Sequence, residues 1–153
     1  MPLAEAWRRF RRGPWRVAVA EESMTPALQP GDWLLLDPVP RRWPRRGSVV
    51  VVRQPGTGLL AVKRIAAGPG DVVLAGSEYI KLGDEAWLLG DGGGHSVDSR
   101  HYGAVPLDAL VGRAWFRYWP PRRIGVVPRR RSSSARARSS VASKGKPRRW
   151  WRR

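Results

Sequence analysis

A few side chains in this 153-residue chain stand where they can do chemistry. Ser23 follows the alternating apolar run Val17-Ala18-Val19-Ala20, so its hydroxyl falls where a strand stops. Met24 and Thr25-Pro26 come next, and Pro30-Gly31-Asp32 turns the chain into a second apolar run from Trp33. A hydroxyl lifted out of a sheet edge suits a nucleophile. The plainer reading is a turn serine that satisfies nearby backbone groups. A serine nucleophile also needs a base. His95 and His101 are the first candidates, and Asp98 completes a Ser-His-Asp set by residue type. Lys63 is the other. It works as a base near neutral pH only if burial strips its charge. In the run 59–65, Lys63 shares a face with Leu59, Ala61 and Ile65, while Arg64 points the other way. An amine on an apolar face is costly unless it is neutral, or unless its stem carries the head to water. Both readings stand at this point.

The segment 90–103 supplies the remaining polar groups. Gly90-Asp91 ends a strand, Gly92-Gly93-Gly94 make an irregular loop, and Ser96, Asp98 and Arg100 then alternate on one side. A glycine loop can cradle phosphate, but no GK[ST] and helix follow, which excludes a P-loop. Asp98 with Arg100 and Arg64 reads as one ion network holding this segment against the Lys63 strand.

The elements that must position these groups are short strands. Apolar or alternating runs occupy 15–20, 33–37, 48–53, 59–66, 72–74, 78–82, 86–89 and 113–119, with glycine- and proline-rich turns between them. This pattern predicts an all-β fold of coiled antiparallel sheets closing into a barrel or sandwich. Only 107–110 looks helical, and briefly.

Charge divides the chain into three parts. Of the 29 Lys and Arg residues, thirteen lie in 122–153 with no acid among them, and four arginines against Glu5 lie in 1–12. Between these ends the chain is nearly neutral. Residues 14–119 are therefore expected to be the folded domain, with 1–13 a basic amphipathic segment. In it Leu3, Trp7 and Phe10 share one helical face, suited either to a membrane interface or to packing on the domain. Residues 120–153 read as a disordered Arg/Ser-rich basic tail, since they hold few large apolar side chains to offset ordering entropy. Trp150-Trp151 among arginines suits an interface. Basic ends point to polyanions, and an anionic membrane surface touched peripherally is the expected partner. The location that follows is membrane-associated or cytoplasmic. No apolar run approaches the roughly 18–20 residues of a bilayer span, and no apolar stretch of a secretory signal follows Arg12. The absence of cysteine excludes disulfides, thiolate metal sites and a cysteine nucleophile. No motif calls for a metal or a cofactor.

The motifs together carry a resemblance. Ser23-Met24-x-Pro26, Gly47-Ser48-Val49-Val50, Lys63-Arg64-Ile65 with Gly70-Asp71-Val72-Val73, and Gly90-Asp91 leading to Ser96-x-Asp98-Ser99-Arg100-x-Tyr102-Gly103 occur in that order. They resemble the characteristic boxes of type I signal peptidases, the Ser/Lys-dyad family, over residues 17–113. The resemblance implies an all-β serine endopeptidase that cleaves a leader or signal segment from a precursor protein. It also implies cleavage after small residues at the first and third positions before the bond. Ser23 is then the nucleophile and Lys63 the general base. Ser96 orients the lysine, Asp98, Arg100 and Arg64 form the supporting network, and the Ser23 backbone N–H donates to the oxyanion. The stretch between Lys63 and Gly90 is short, without the accessory domain of larger bacterial enzymes. No spanning segment precedes the serine, and Gly92 stands where Asn is typical. This compactness is similar to the mitochondrial inner membrane proteases and to the nickel-type superoxide dismutase maturation protease. LexA-like self-cleaving regulators share the dyad, but 22 residues ahead of the serine cannot hold their DNA-binding domain.

Glu21 departs from the pattern. In many members of the family this chain resembles, that position holds a small residue, and in some it supplies a hydroxyl to the oxyanion hole. By alternation Glu21 shares a face with Ser23, and an ionised carboxylate there would repel an oxyanion. It is therefore expected to turn to solvent or pair with an arginine, and to be dispensable. Two further classes fit parts of the chain. A catalytically weak peptide-binding module would hold extended chains by strand addition, but every dyad residue is present. A basic nucleic-acid-binding protein would use the tail. Nucleic acid is not the expected partner, because the middle of the chain is nearly neutral and carries no recognition motif.

Overall fold

The computed structural model describes residues 16–37 and 42–130. The expectations for 1–13 and for the tail beyond 130 lie outside the described residues. Among the described residues nine strands form, all paired antiparallel: β1 (Arg16–Ala18), β2 (Trp33–Asp37), β3 (Val49–Arg53), β4 (Leu60–Ala67), β5 (Val72–Ala75), β6 (Glu78–Lys81), β7 (Trp87–Leu89), β8 (Leu110–Trp119) and β9 (Gly125–Val126). Their positions follow the alternating runs closely, and the fold is all-β as expected.

β3 lies at the centre because its four valines are buried on both faces. Val49 and Val51 join Met24, Leu28, Leu34 and Leu36 in one cluster. Val50 and Val52 join Trp43, Ala61, Ile65 and Leu88 in a second cluster on the opposite side. At roughly 1.5–3 kcal/mol for each fully buried large apolar side chain, this two-sided strand is the strongest apolar anchor of the sheet. A third cluster, Ala66, Ala67, Val73, Leu82 and Trp87, seats the separate β5–β6 hairpin.

The main sheet runs β1-β2-β8-β3-β4-β7. Among the described residues β1 and β7 are its two ends, and no pairing between them closes the coiled antiparallel sheet into a barrel. One edge of β8 is shared, with β3 pairing over Leu110–Ala114 and β9 over Phe116–Arg117. β9 corrects the expected domain boundary. Residues 120–130 belong to the packed domain, with Val127 in the first core cluster and Arg130 N–H donating to the Gly47 carbonyl at 3.1 Å. Gly47 permits that close approach, since its φ is +86° and a Cβ there would come within 2.6 Å of the Arg130 carbonyl oxygen. The segment expected to be helical at 107–110 is a single 3-10 turn, Leu107–Ala109. A short helix, α1 (Ser99–Tyr102), forms where none was expected.

Candidate active site

Ser23 lies within a 3-10 turn, Glu22–Met24, entered through extended backbone at Glu21 and closed by Thr25 N–H donating to the Glu22 carbonyl at 2.9 Å. Met24 in the turn and Leu28 just after it are fully buried and clamp the turn onto the core, while Ser23 itself is 8% exposed. The base of the loop is tied by Val19 N–H to the Asp32 carbonyl and Gly31 N–H to the Val19 carbonyl, both at 2.8 Å. The buried Asp32 carboxylate accepts from Gln29 N–H at 3.0 Å and meets the Arg117 and Arg123 guanidinium groups at 3.3 and 3.1 Å. The sequence reading missed this trio. An aspartate after Pro-Gly looks like any turn residue, and its two arginines are far along the chain.

Lys63 lies opposite Val50 on the sheet, and Ala61 lies opposite Val52, so the amine shares the apolar face of the second cluster. At 1% exposure its stem does not carry the head to water. Burial pushes the Lys63 amine below the ordinary lysine value of 10.5; Glu21 and Asp98 draw it back up, and Arg100 pushes it further down. Lys63 Nζ donates to Ser96 Oγ at 3.3 Å, and Ser96 is also 1% exposed. The Ser23 turn packs against β4, the strand that carries Lys63. No direct Ser23–Lys63 hydrogen bond forms.

The 90–98 loop joins the two. Gly92 N–H donates to the Ser23 carbonyl at 2.8 Å. Gly90 is required by space: a Cβ there would overlap Ser96 Oγ and come within 2.5 Å of the Ser23 carbonyl oxygen. Ser96 and the Ser23 backbone therefore converge on one residue that has no side chain. Asp98 fixes the far side of the loop. It accepts from Gly90 N–H at 3.0 Å, from Arg100 N–H at 3.1 Å and from the Arg100 guanidinium at 2.9 and 2.7 Å, and it caps α1. Burial alone raises the Asp98 carboxyl, but the Arg100 and Gly90 hydrogen bonds outweigh it and hold it below its ordinary value. Ser99 Oγ, accepting from Leu88 N–H at 2.9 Å, then pins α1 to β7.

The single ion network expected from Arg64, Asp98 and Arg100 is two separate pairs. Arg64 pairs with Asp91 through hydrogen bonds of 2.8 and 2.7 Å, and it donates to the Gly47 and Pro128 carbonyls at 2.8 and 3.0 Å. Arg64 points away from Lys63, as alternation along β4 requires, and meets Asp91 rather than Asp98. Asp91, quoted only as part of a motif, is its true partner. His101 does not reach Ser23 through a relay. Its Nδ1 accepts from Asp98 N–H at 3.3 Å as part of the α1 cap, and the side chain is 54% exposed. Glu21 is exposed and without an ion pair among the described residues. Among these residues no three His, Cys, Asp or Glu side chains gather as metal ligands would.

This geometry can be set beside known proteins. The family model described as "Signal peptidase, peptidase S26" matches residues 15–86 and 80–119. A probable signal peptidase I-2 of Synechocystis is 32% identical over 142 residues, covering 71% of this chain and 65% of that protein. The mitochondrial inner membrane protease subunit 1 of Schizosaccharomyces pombe is 38% identical over 109 residues, covering 64% of this chain and 69% of that protein. Signal peptidase I of Leptolyngbya laminosa is 28% identical over 143 residues. The chain thus spans about two thirds of the length of these relatives. It belongs to the signal peptidase family, a family of serine endopeptidases.

Proposed function

We propose, from its place in the signal peptidase family, that this chain cleaves a leader or signal segment from a precursor protein with a Ser23/Lys63 dyad. The observation that carries this is the burial of Lys63 on an apolar face, with Ser96 as hydrogen-bond partner and the Ser23 turn packed on the same strand. A lysine so placed favours its neutral form, which has a lone pair to accept a proton. Lys63 Nζ takes the Ser23 proton as Oγ attacks the scissile carbonyl carbon. The C–N bond then breaks, and the ammonium returns the proton to the leaving amine. Water attacks the resulting ester, giving one proton to Lys63, and the collapse returns that proton to Ser23 as the carboxylic acid product leaves. Ser96 orients the amine, and Asp98 with Arg100 holds the Ser96 loop. Arg64 with Asp91 holds the other edge of the same loop. N–H groups at the start of a helical turn lack partners within it, and the Ser23 N–H serves the oxyanion from such a position.

The substrate class is a precursor with small residues at the first and third positions before the cut. Contact with an anionic membrane surface is peripheral, through the basic segments 1–13 and 131–153. No helix of the described residues is long and apolar enough to cross a membrane. The test is to trap precursor with the Ser23→Ala protein and to sequence the new N-terminus produced by active enzyme. A single cut after a small-x-small segment is expected. A precursor released uncut by wild-type protein overturns the reading.

A further inference from the structure

The chain that leaves β9 is tied back across the start of β3. The Pro128 carbonyl accepts from the Arg64 guanidinium at 3.0 Å, and Arg130 N–H donates to the Gly47 carbonyl at 3.1 Å. Between this segment, the middle of β8 and the stretch 42–45 lies a cleft of about 1120 Å³. Its floor is apolar, with Val49, Ala114 and Val127 of the first core cluster. Its charged lining comes from three separate stretches of chain: Arg42 with Arg45, Arg113, and Arg129. All four are exposed, and none makes a side-chain hydrogen bond or an ion pair among the described residues. Asp37, opposite Arg113 in the β2–β8 register, is the only acid among the described residues of the lining. The backbones that carry the arginines are held in place. Trp43 is buried and its indole N–H donates to the Asp84 carbonyl at 2.9 Å, which fixes 42–45; Arg113 lies within β8, and 128–130 is tied as above. Four like charges around one cleft repel one another, so the fold gains nothing internal from keeping them together.

We propose that this cleft binds an acidic peptide segment, with carboxylates on the arginines and apolar side chains on the floor. Guanidinium groups on tethered backbone suit carboxylates, because each planar fork can meet two oxygens at little ordering cost. The cleft exceeds the roughly 300–1,000 Å³ usual for small-molecule pockets, which fits a stretch of chain. Nucleic acid fits less well, since bases need free ring faces to stack on. Trp43 is buried, and Trp115 is already tilted onto Phe116 with ring centroids 5.5 Å apart. Arg64 links the cleft to the Ser23 turn. It holds the Gly47 and Pro128 carbonyls on one side and Asp91 on the other, and the neighbouring Gly92 N–H donates to the Ser23 carbonyl. On the peptidase reading, the cleft therefore holds an acidic stretch of the precursor while the cut is made. A secretory-type leader is basic and apolar, so that stretch belongs to the part of the precursor that is kept. The binding itself stands without that reading.

The test uses the full chain and a fluorescein-labelled peptide of alternating Glu and Leu, with its Gln counterpart as control, read by fluorescence anisotropy. Wild-type protein should bind the Glu peptide more tightly than the Gln peptide, and less so as salt rises. Arg113→Ala/Arg129→Ala should weaken that binding about fivefold or more with an unchanged melting curve. Arg42→Ala/Arg45→Ala, from another stretch of the lining, should do the same and guards against a folding defect in the first pair. Arg122→Ala, outside the cleft, should bind as wild type does. Wild-type affinity in both double variants would place the peptide on the arginine-rich ends and overturns the proposal. Equal weakening by Arg122→Ala would reduce the effect to overall charge and also overturns it. So does a single-stranded oligonucleotide that binds more tightly than the Glu peptide and is lost in the same variants. Cleavage is followed in parallel with precursors bearing Glu or Gln after the cut. The double variants should raise KM for the Glu precursor to that of the Gln precursor and leave kcat unchanged. If the Glu peptide binds in the cleft but no precursor is cut, the peptidase reading fails and the cleft remains. If precursors are cut without preference for Glu and the labelled peptide does not bind, the cleft proposal fails and the peptidase reading remains.

Discussion

An amine with 1% exposure and one hydroxyl partner is unstable as an ammonium, and that instability is what the proposed mechanism uses. Ser23→Ala and Lys63→Met should each abolish cleavage, and the double variant should be no worse than either, because the pair acts as a unit. Wild-type activity should rise with pH as Lys63 deprotonates, with its acid limb below the ordinary lysine value of 10.5. Stability carries the same signature. Between the lowered folded value and 10.5 the unfolded chain binds the extra proton, so this residue's contribution rises with pH through that window. Lys63→Met should raise the melting temperature, by less as pH approaches 10.5. Activity in Lys63→Met that is lost in His95→Ala or His101→Ala would replace the dyad with a histidine triad. Glu21 acts on the same proton. Its charge draws the Lys63 value upward, so Glu21→Ser should move the acid limb of the pH–rate profile downward and keep or raise turnover at neutral pH. Collapse of turnover in both Glu21→Ser and Glu21→Gly, with the fold intact, would make Glu21 part of the mechanism.

Within β4, neighbouring residues show two ways to bury a basic group. Lys63 can shed its proton. Arg64 cannot, so its guanidinium needs acceptors, and it finds both Asp91 oxygens and the carbonyls of Gly47 and Pro128. Asp91→Ala should cost about 3–5 kcal/mol in urea denaturation, because it strands a buried charge. Arg46, paired with Asp71 near solvent at 2.9 Å, offers the contrast: Arg46→Ala should cost no more than about 1 kcal/mol. Equal losses in the two variants would mean that burial of Arg64 is not what makes its pair matter. The 90–98 loop depends on the same logic of contact, since Gly90 leaves room for Ser96 and for the Ser23 carbonyl at once.

For the whole molecule, the domain ends later than composition suggests. Truncation after Arg130 should leave melting and soluble-peptide cleavage unchanged while weakening binding to anionic vesicles at low salt. Truncation after Trp119 removes β9, the buried Val127 and the Pro128 carbonyl that receives Arg64. It should therefore lower the melting temperature by several degrees or abolish folding. Identical melting of the two truncated chains would return the boundary to 119.

Sequence by itself determined the strands, because a half-buried strand must alternate and a turn must contain residues that can turn. Residue type and order along the chain offered Ser23 as nucleophile and Lys63 or a histidine as base, and the resemblance to the signal peptidases chose Lys63 and added Ser96. Tertiary structure alone decided which charges meet. Arg64 took Asp91 rather than Asp98 because the Gly90 turn presents Asp91 to one face of β4 and Asp98 to the other end of the loop. It also drew Arg117 and Arg123 to the buried Asp32, and recruited Val127 from a stretch whose composition reads as tail. Pairings of this kind depend on register and loop path over tens of residues. Local periodicity carries no record of them.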